Sequence, residues 1–275
     1  MTAATQAPDA VARRGGVRAL WAGNPGAVVQ RGLIAARSSS WAVVLSGFFE
    51  PVFYLASMGI GLSSLIGPVE TSTGMEVSYA AFIAPALLAV SAMNGAIYDS
   101  TWNVFFKLNY GKLYEGMLST SLGPLDVALG EILYALLRGL VYATGFMIIM
   151  QIAGLNLAWT AILALPAVVL IAFGFASVGM AVTSYMKAFQ QMDWINIVLL
   201  PMFLFSATLY PITIYPEFIQ WIVMALPLWH GVELVRGLTT GALSPAMWVH
   251  VAYYVAMITV GLIFTTKRLR ALFLG

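Results

Sequence analysis

The stretch WTAILALPAVVLIAFGFASVGMAVTSYM, residues 159–186, decides the fold because it is long, continuously apolar and free of charged residues. A helix needs about 20 consecutive apolar residues to cross the hydrocarbon core of a bilayer. A strand of a membrane barrel would instead alternate apolar and polar residues. The stretch therefore predicts a helix that crosses a membrane.

Further stretches of the same kind lie on either side of it, at residues 41–65, 79–104, 127–152, 194–210 and 247–266. An aromatic belt at the membrane surfaces explains the tryptophans near the span ends, which are Trp41, Trp102, Trp159, Trp194 and Trp248. Charged residues make up 9% of the chain, against about 25% in a soluble protein. We predict an all-α polytopic membrane protein with six transmembrane helices in one domain, residues 41–275.

The chain before the first span is expected to stay outside the membrane core. Residues 1–16 are small and polar and predict a disordered cytoplasmic tail. Residues 17–40 form an amphipathic segment around a helix at 28–37, on which Val29, Leu33 and Ala36 share one face. This pattern predicts an interfacial helix on an anionic leaflet, and a plain cytosolic helix is the alternative.

A second short apolar segment, EFIQWIVMALPL at residues 217–228, lies between the fifth and sixth spans. It is too short to cross, and Pro211, Pro216 and Pro227 interrupt it. We predict an outer re-entrant hairpin at about 211–238. The alternative is a seventh crossing, which would place the two chain ends on opposite faces.

Basic residues predict the orientation, because cytoplasmic loops carry an excess of lysine and arginine. In the six-span arrangement one side holds Arg13, Arg14, Arg18, Arg31, Arg37, Lys107, Lys112, Lys187, Lys267, Arg268 and Arg270. The opposite loops hold Glu70, Glu76, Glu217 and Glu233, with Arg236 as their only cation. Both termini are therefore predicted to be cytoplasmic.

The loop between the second and third predicted spans covers about residues 105–126. It is the first part of the stretch FFKLNYGKLYEGMLSTSLGPLDVALGE, residues 105–131. Gly111 and Gly116 bracket a short segment that mixes charged and apolar residues. Helical spacing places Tyr114, Met117 and Leu118 on one face. The pattern predicts a short cytoplasmic helix that docks a partner, and an inert turn resting on lipid is the alternative.

Ionisable residues inside predicted spans are candidates for function, and they are Glu50, Asp99, Glu131 and Arg138. They favour either a proton or ion relay or structural pairing across helices. The chain has no cysteine, no HExxH pair, no G-x-S-x-G elbow and no G-x-x-x-x-G-K-[ST] phosphate loop. We therefore predict no metal site, no catalytic residue and no cofactor in this chain, and no ability to hold ATP by itself.

Three blocks of the sequence resemble one family. They are EPVFYLASMGIGL at 50–62, the segment 79–132 that contains the short helix, and FLFSATLYPITIYPEFIQWIVMALPLWHGVELVRGL at 203–238. The chain resembles the permease of a type-2 ATP-binding-cassette (ABC) exporter, of the nodulation protein J-like, lipo-oligosaccharide and drug exporter branch. The family often has threonine where Trp229 stands, a departure that bears on the outer vestibule.

The resemblance implies a complex of two permease protomers, identical or homologous, with two separate cytosolic ATPase subunits that bind Mg-ATP. It implies an ATPase-coupling helix formed around Lys107, Lys112, Tyr114, Glu115, Met117 and Leu118. It also implies an amphipathic substrate, such as a lipid, a lipid-linked saccharide or a hydrophobic drug, and a path between the protomers in the cytoplasmic membrane. No nucleic acid is expected as a partner.

Aromatic residues of the first and fifth spans are candidates for the wall of that path, and they are Phe53, Tyr54, Phe203, Phe205 and Tyr210. Ordinary packing or lipid contact is the alternative for each of them. Other functions stay open at this point. One is a secondary transporter or channel that uses Glu50, Glu131 and Arg138, another is a membrane enzyme acting on lipid with Asp99 or His230 as a base, and a third is a scaffold.

Overall fold

A computed structural model describes residues 21–36 and 49–273 of the chain. These residues are almost entirely helical, and the helices are α1 (Pro25–Ala36), α2 (Phe49–Ile66), α3 (Tyr79–Tyr110), α4 (Leu113–Leu118), α5 (Pro124–Ile152), α6 (Trp159–Thr183), α7 (Asp193–Phe205), α8 (Glu217–Ala225), α9 (Pro227–Thr240) and α10 (Met247–Phe273). Two short antiparallel strands, β1 (Val69–Glu70) and β2 (Glu76–Val77), pair Val69 with Val77 and interrupt the all-α pattern.

Five of the described helices, α2, α3, α5, α6 and α10, are long and apolar enough to cross a membrane. The pair α8 and α9 also passes this test when taken together, but the two helices meet at 88°. This count of five to six apolar helices confirms the predicted polytopic, helical membrane protein. Tail residues 1–16 and the first part of the predicted first span, 41–48, lie outside the described residues.

The bundle has two ends, which we name the α4 end and the β-hairpin end. Helix α3 begins beside the β hairpin and ends beside α4. Helix α5 runs back toward the β-hairpin end, and both α6 and α10 run toward the α4 end. At the β-hairpin end the hydroxyl of Thr160 donates to the carbonyl oxygen of Leu238 at 2.6 Å. At the α4 end Nε of Arg268 donates to the carbonyl oxygen of Ser184 at 3.3 Å.

The bent pair α8 and α9 starts and finishes at the same end of the bundle. Arg236, near the end of α9, donates to the carbonyl oxygen of Ala207 just before the pair, at 2.9 Å. At the bend, the hydroxyl of Tyr254 donates to the carbonyl oxygen of Pro227 at 2.8 Å, and the same ring contacts Gly174 in the middle of α6. The pair therefore dips into the bundle and returns, which favours the predicted re-entrant hairpin over a seventh crossing.

Helix α7 connects the two ends, although it is short. The ring of Phe189 lies 5.2 Å from the ring of Trp102 at the α4 end, and Ala207 lies at the β-hairpin end. The 13 residues of α7 span only about 20 Å of the roughly 30 Å hydrocarbon core. The 3₁₀ turn Phe189–Met192 and residues 206–210 add to this length. Residues 189–210 together therefore reach from one end of the bundle to the other, as expected for the predicted fifth span.

Some helices end at residues other than those predicted, because hydropathy does not report the backbone conformation. Helix α7 stops at Phe205 rather than at residue 210, because Ala207 has φ +53°. Helix α3 continues through two π-helical turns to Tyr110, so Lys107 lies on this helix instead of in the loop. Helix α10 likewise continues to Phe273.

Helix α6 occupies the centre of the bundle and packs against α3, α5 and α10. Small residues let these helices approach closely, as is usual between membrane helices. At Gly261 of α10, an added Cβ atom would lie 2.6 Å from the carbonyl carbon of Ser177 on α6. The close packing makes a rigid core, to which the segments at each end are attached.

Candidate functional site

Helix α4 lies at one end of the bundle and is anchored to it by one face. Lys112 precedes it in the left-handed conformation with φ +45°, which turns the chain into the helix. Tyr114 is 0% exposed and Leu118 is 4% exposed, and both belong to the hydrophobic core. Met117 is half-buried beside them. The predicted face therefore exists, but it packs against the bundle.

The predicted coupling residues are divided between the two sides of this segment. Tyr114 and Leu118 are buried in the protomer, so they hold α4 in place and present no surface to a partner. The exposed side of the segment instead carries Lys112, Leu113 and Glu115. Sequence spacing defined the face correctly, but it did not say which way that face points.

The anchor of α4 adjoins a buried ionic cluster formed by α1, α3 and α5. The carboxylate of Glu131 on α5 accepts from Arg31 on α1 at 3.1 Å and from Lys107 on α3 at 2.5 Å. Glu131 is almost fully buried, and two cations pair with its one negative charge. Lys107 thus joins α3 to α5 within the protomer.

Helix α1 also packs directly on α5, which the interfacial prediction for 28–37 did not foresee. Val28 is buried against Gly130, where an added Cβ atom would also lie 2.8 Å from the carbonyl oxygen of Pro25. Leu33 and Ile34 remain exposed on the other side of α1. The helix therefore has one protein-facing side and one apolar exposed side, and the predicted contact with lipid concerns only the latter.

Asp126 is a structural residue that the sequence reading missed. Its fully buried carboxylate accepts from the backbone N–H groups of Ala22 at 2.6 Å, Asn24 at 2.9 Å and Gly123 at 2.9 Å. The available signal was an acidic residue in the first turn after Gly123-Pro124, a favoured position at a helix N-terminus. Asp126 fixes the start of α5 and the chain before α1 together.

The remaining intramembrane charges are also paired, except one. Arg138 on α5 forms an ion pair with Asp99 on α3, and Asn103 donates to the same carboxylate at 2.7 Å. Glu50 is exposed on α2 and has no ion pair among residues 21–36 and 49–273. Glu131 and Arg138, both on α5, thus bind separate partners.

The predicted aromatic wall forms two small groups on α2, α7 and the segment that follows. Tyr54 and Phe203 lie 6.2 Å apart between ring centroids. The second group consists of Phe205, Tyr210 and Tyr215. The ring of Tyr215 lies 6.2 Å from that of Phe205, and its hydroxyl lies 2.9 Å from that of Tyr210. Phe53 is exposed on α2. We name these residues the aromatic surface of α2 and α7.

At the β-hairpin end a second polar cluster joins α9 to its neighbours. Arg236 is buried and donates to Glu233 at 2.7 Å, and Ser72 of the β1–β2 turn donates to the same carboxylate at 2.5 Å. His230 and His250 are buried with their Nδ1 atoms 2.7 Å apart. His230, named above as a possible base of a membrane enzyme, therefore forms a hydrogen bond with another buried histidine. The described residues contain no group of three potential metal ligands.

Together these features define a multi-pass α-helical membrane protein with a short helix presented at one end of its bundle. The chain belongs to the ABC-2 type transporter family, whose profile matches residues 26–239. The predicted resemblance is confirmed. Members of this family are transmembrane components of ABC transporters, and membership implies a cytosolic ABC ATPase as partner.

Similar proteins are known by name in nodulating bacteria. The chain is 31% identical to nodulation protein J of Rhizobium leguminosarum bv. viciae over 246 residues, which cover 89% of this chain and 93% of the relative. It is 31% identical to nodulation protein J of Sinorhizobium fredii, over 76% and 79% of the two chains. The protein of the same name from Rhizobium meliloti is 26% identical over 89% and 92%.

Proposed function

We propose that this chain is the permease subunit of an ATP-driven exporter that moves an amphipathic substrate outward across the cytoplasmic membrane. The substrate classes are a lipid, a lipid-linked saccharide or a hydrophobic drug. The complex contains two permease protomers, identical or homologous, and two ATPase subunits that bind Mg-ATP. Both chain termini and α4 face the cytosol, in keeping with the distribution of lysine and arginine.

The exposed edge of the anchored helix α4 is the single observation that carries this proposal. Tyr114 and Leu118 fix the helix to the core, whereas Leu113 and Glu115 stay accessible. A helix that is rigid on one side and free on the other suits the transfer of motion from a docked ATPase. Because α4 adjoins both α3 and α5, its displacement would repack the two spans that it connects.

The mechanism that follows is alternating access between two arrangements of the spans. ATP binding closes the ATPase dimer and shifts α4 as a rigid lever. The aromatic surface of α2 and α7, which includes Tyr54, Phe203 and Phe205, then lines the path between the protomers. ATP hydrolysis takes place in the ATPase, so this chain itself performs no covalent chemistry.

The docking role can be tested with a charge reversal on the exposed edge. The double variant Leu113→Asp, Glu115→Lys should reduce copurification of the ATPase and abolish substrate-stimulated ATP hydrolysis, while the permease keeps its thermal stability. Glu217→Lys is the matched control, since it reverses an exposed glutamate at the opposite end of the bundle. Undiminished ATPase recruitment and stimulation by the double variant would show the docking proposal to be wrong.

The ion pairs argue against a secondary transporter or channel that uses intramembrane Glu and Arg residues. Glu131 and Asp99 are each held by a cation of another helix, and a relay needs groups that exchange protons along a path. Transport by reconstituted permease driven by a proton gradient, with no ATPase present, would support that rival. We expect no such transport.

A further inference from the structure

A cavity of about 230 Å³ opens at the β-hairpin end between the β1–β2 turn, α9 and the start of α10. None of the five aromatic residues predicted to line the translocation path contributes to its wall. The cavity lies within one protomer. It is a separate feature from the aromatic surface of α2 and α7.

Hydroxyl groups dominate the polar part of the wall. They come from the β1–β2 turn, the end of α9 and the α9–α10 connection, and include those of Ser72, Thr73, Thr240 and Ser244. A hydroxyl has one donor and two acceptor sites, so each group that bonds once within the protein can still bond a ligand. All four already bond once within the protein: Ser72 with Glu233, Thr73 with Thr71, Thr240 with Arg236 and Ser244 with Ala246. A ligand that donates and accepts can add a second bond to each hydroxyl, whereas an apolar ligand adds none.

The charged side chains of the wall balance each other. Glu233 accepts from Arg236 at 2.7 Å and from Ser72 at 2.5 Å, and both charged residues are largely buried. The cavity therefore has no unpaired charge that would select an anion or a cation. It favours a neutral ligand that forms several hydrogen bonds.

The rings of Trp229 and His250 complete the wall, and that of Trp229 is the larger. Edge contacts with the rings of His230 and His250, at 5.0 Å and 5.3 Å between centroids, hold it in a defined position. Its indole Nε1 is buried and has no hydrogen-bond partner in the part of the chain that the structure describes. A ring of this kind packs against the C–H face of a sugar.

The volume limits what can enter. Pockets for drug-sized ligands measure about 300–1,000 Å³, and this cavity is smaller. It is large enough for one ring of a larger molecule, and the rest of that molecule would extend through the opening. Size, neutrality, hydroxyl groups and a fixed aromatic ring thus agree on one class of ligand.

We propose that this cavity is a binding site in each protomer for one neutral, hydroxyl-rich ring, such as a sugar headgroup, with Trp229 as the residue that determines specificity. The proposal goes beyond the proposed function, because binding here needs neither the ATPase nor a second permease. The ring can come from a membrane glycolipid or from a molecule that is being exported. The chemistry is the same in both cases.

The test uses the full-length permease in phosphatidylcholine nanodiscs without ATPase, since maltoside detergents would themselves compete. Saturation-transfer NMR with methyl β-glucoside reports binding of the free ring. A monoglucosyl diacylglycerol added to the nanodisc, detected by native mass spectrometry, reports binding of the lipid-linked ring. Binding of the lipid alone identifies a membrane headgroup as the source, whereas binding of the free glucoside as well identifies a site that also takes soluble saccharides.

Variants at the ring decide whether the binding is at this cavity. Trp229→Thr should weaken binding about tenfold, the effect of losing one well-placed aromatic contact, and Trp229→Phe should lose less because it keeps a ring. Trp248→Thr is the matched control, because Trp248 is exposed nearby and does not line the cavity. Thr73→Val removes a hydroxyl from an exposed turn and provides the test if Trp229→Thr fails to fold.

Several results would overturn the proposal. One is the absence of binding of either probe to the folded wild-type protein. Another is equal binding by wild type and by every folded variant at Trp229 and Thr73, including Trp229→Thr where it folds. A third is binding of a hydrophobic dye at Trp229 with no binding of a sugar. None of these results bears on ATPase recruitment by α4, so the proposed function and this site can fail separately.

Discussion

The guanidinium group of Arg236 lies over the ring of Phe82, with its central carbon 3.8 Å from the ring centroid. Nε of the same group also donates to the carbonyl oxygen of Phe82 at 3.3 Å. The two residues are 154 positions apart in the chain. One buried side chain therefore joins the re-entrant helix α9 to the beginning of α3.

Replacing Arg236 should destabilise the protein strongly. Arg236→Met leaves the carboxylate of Glu233 without its cation and removes the bonds to Phe82 and Ala207. Removal of one partner from a buried ion pair costs about 3–5 kcal/mol, which corresponds to a fall in Tm of roughly 10 °C in a chain of this size. Scanning fluorimetry of the purified protein measures the fall in Tm. Arg270→Met, at an exposed arginine, should leave Tm unchanged, and equal Tm values for both variants would contradict the prediction.

Gly130 should be intolerant of any side chain, because α1 lies directly on it. In Gly130→Ala the new methyl group meets Val28 and lies 2.8 Å from the carbonyl oxygen of Pro25. Overpacking of this kind costs about 1–3 kcal/mol, and we expect α1 to loosen and become sensitive to limited proteolysis. Gly139→Ala on the same helix is the control, since nothing lies within 4 Å of its added Cβ atom. Proteolysis at the same rate in the two variants would show that the contact is unimportant.

The hydroxyl group of Tyr114 should be dispensable, although its ring is not. The ring is fully buried, and the hydroxyl has no hydrogen-bond partner among the described residues. Tyr114→Phe removes an unsatisfied polar atom and should leave Tm equal or higher. Tyr114→Ala should lower stability by about 3–5 kcal/mol, as for other large core truncations. A loss of ATPase recruitment in a stable Tyr114→Phe variant would mean that this hydroxyl contacts the partner after all.

Asp99 and Arg138 should act as a unit in a double-mutant cycle. Asp99→Asn and Arg138→Met each leave the other partner with an uncompensated charge, so each single variant should be less stable than wild type. The double variant should recover part of the loss, with a coupling free energy of about 0.5–3 kcal/mol. Thermal melts of all four proteins measure this coupling. Additive losses would show that the pair contributes nothing as a pair.

Hydropathy predicted most of the helices because the membrane requires long apolar segments that satisfy their own backbone hydrogen bonds. It could not predict that α3 reaches Tyr110, since π-helical turns keep the chain helical beyond the apolar run. It also extended the fifth span past Phe205, because residues 206–210 remain apolar enough to pass as helix. The left-handed conformation at Ala207 ends that helix without any change in composition.

The short helix between α3 and α5 was predicted, but the direction of its apolar face was not, and its docking role stays a prediction. Periodicity gives the face that contains Tyr114 and Leu118, and an apolar face can pack inward or bind a partner equally well. Contacts between residues far apart in the chain decide whether the face packs inward or stays free for a partner. Patterns in a single sequence do not report these contacts. The same reason explains why Asp126 was missed and why the partners of Glu131, which are Arg31 and Lys107, became known only from the structure.

The carboxylate of Asp126 has a consequence for how the protein is made. It holds the backbone of Ala22, which leaves the ribosome 104 residues before it. Synthesis proceeds from the amino terminus, so Ala22 waits without this contact while α2 and α3 enter the bilayer. Helix α1 is therefore translated before α5 but reaches its final contacts only after α5 has been made.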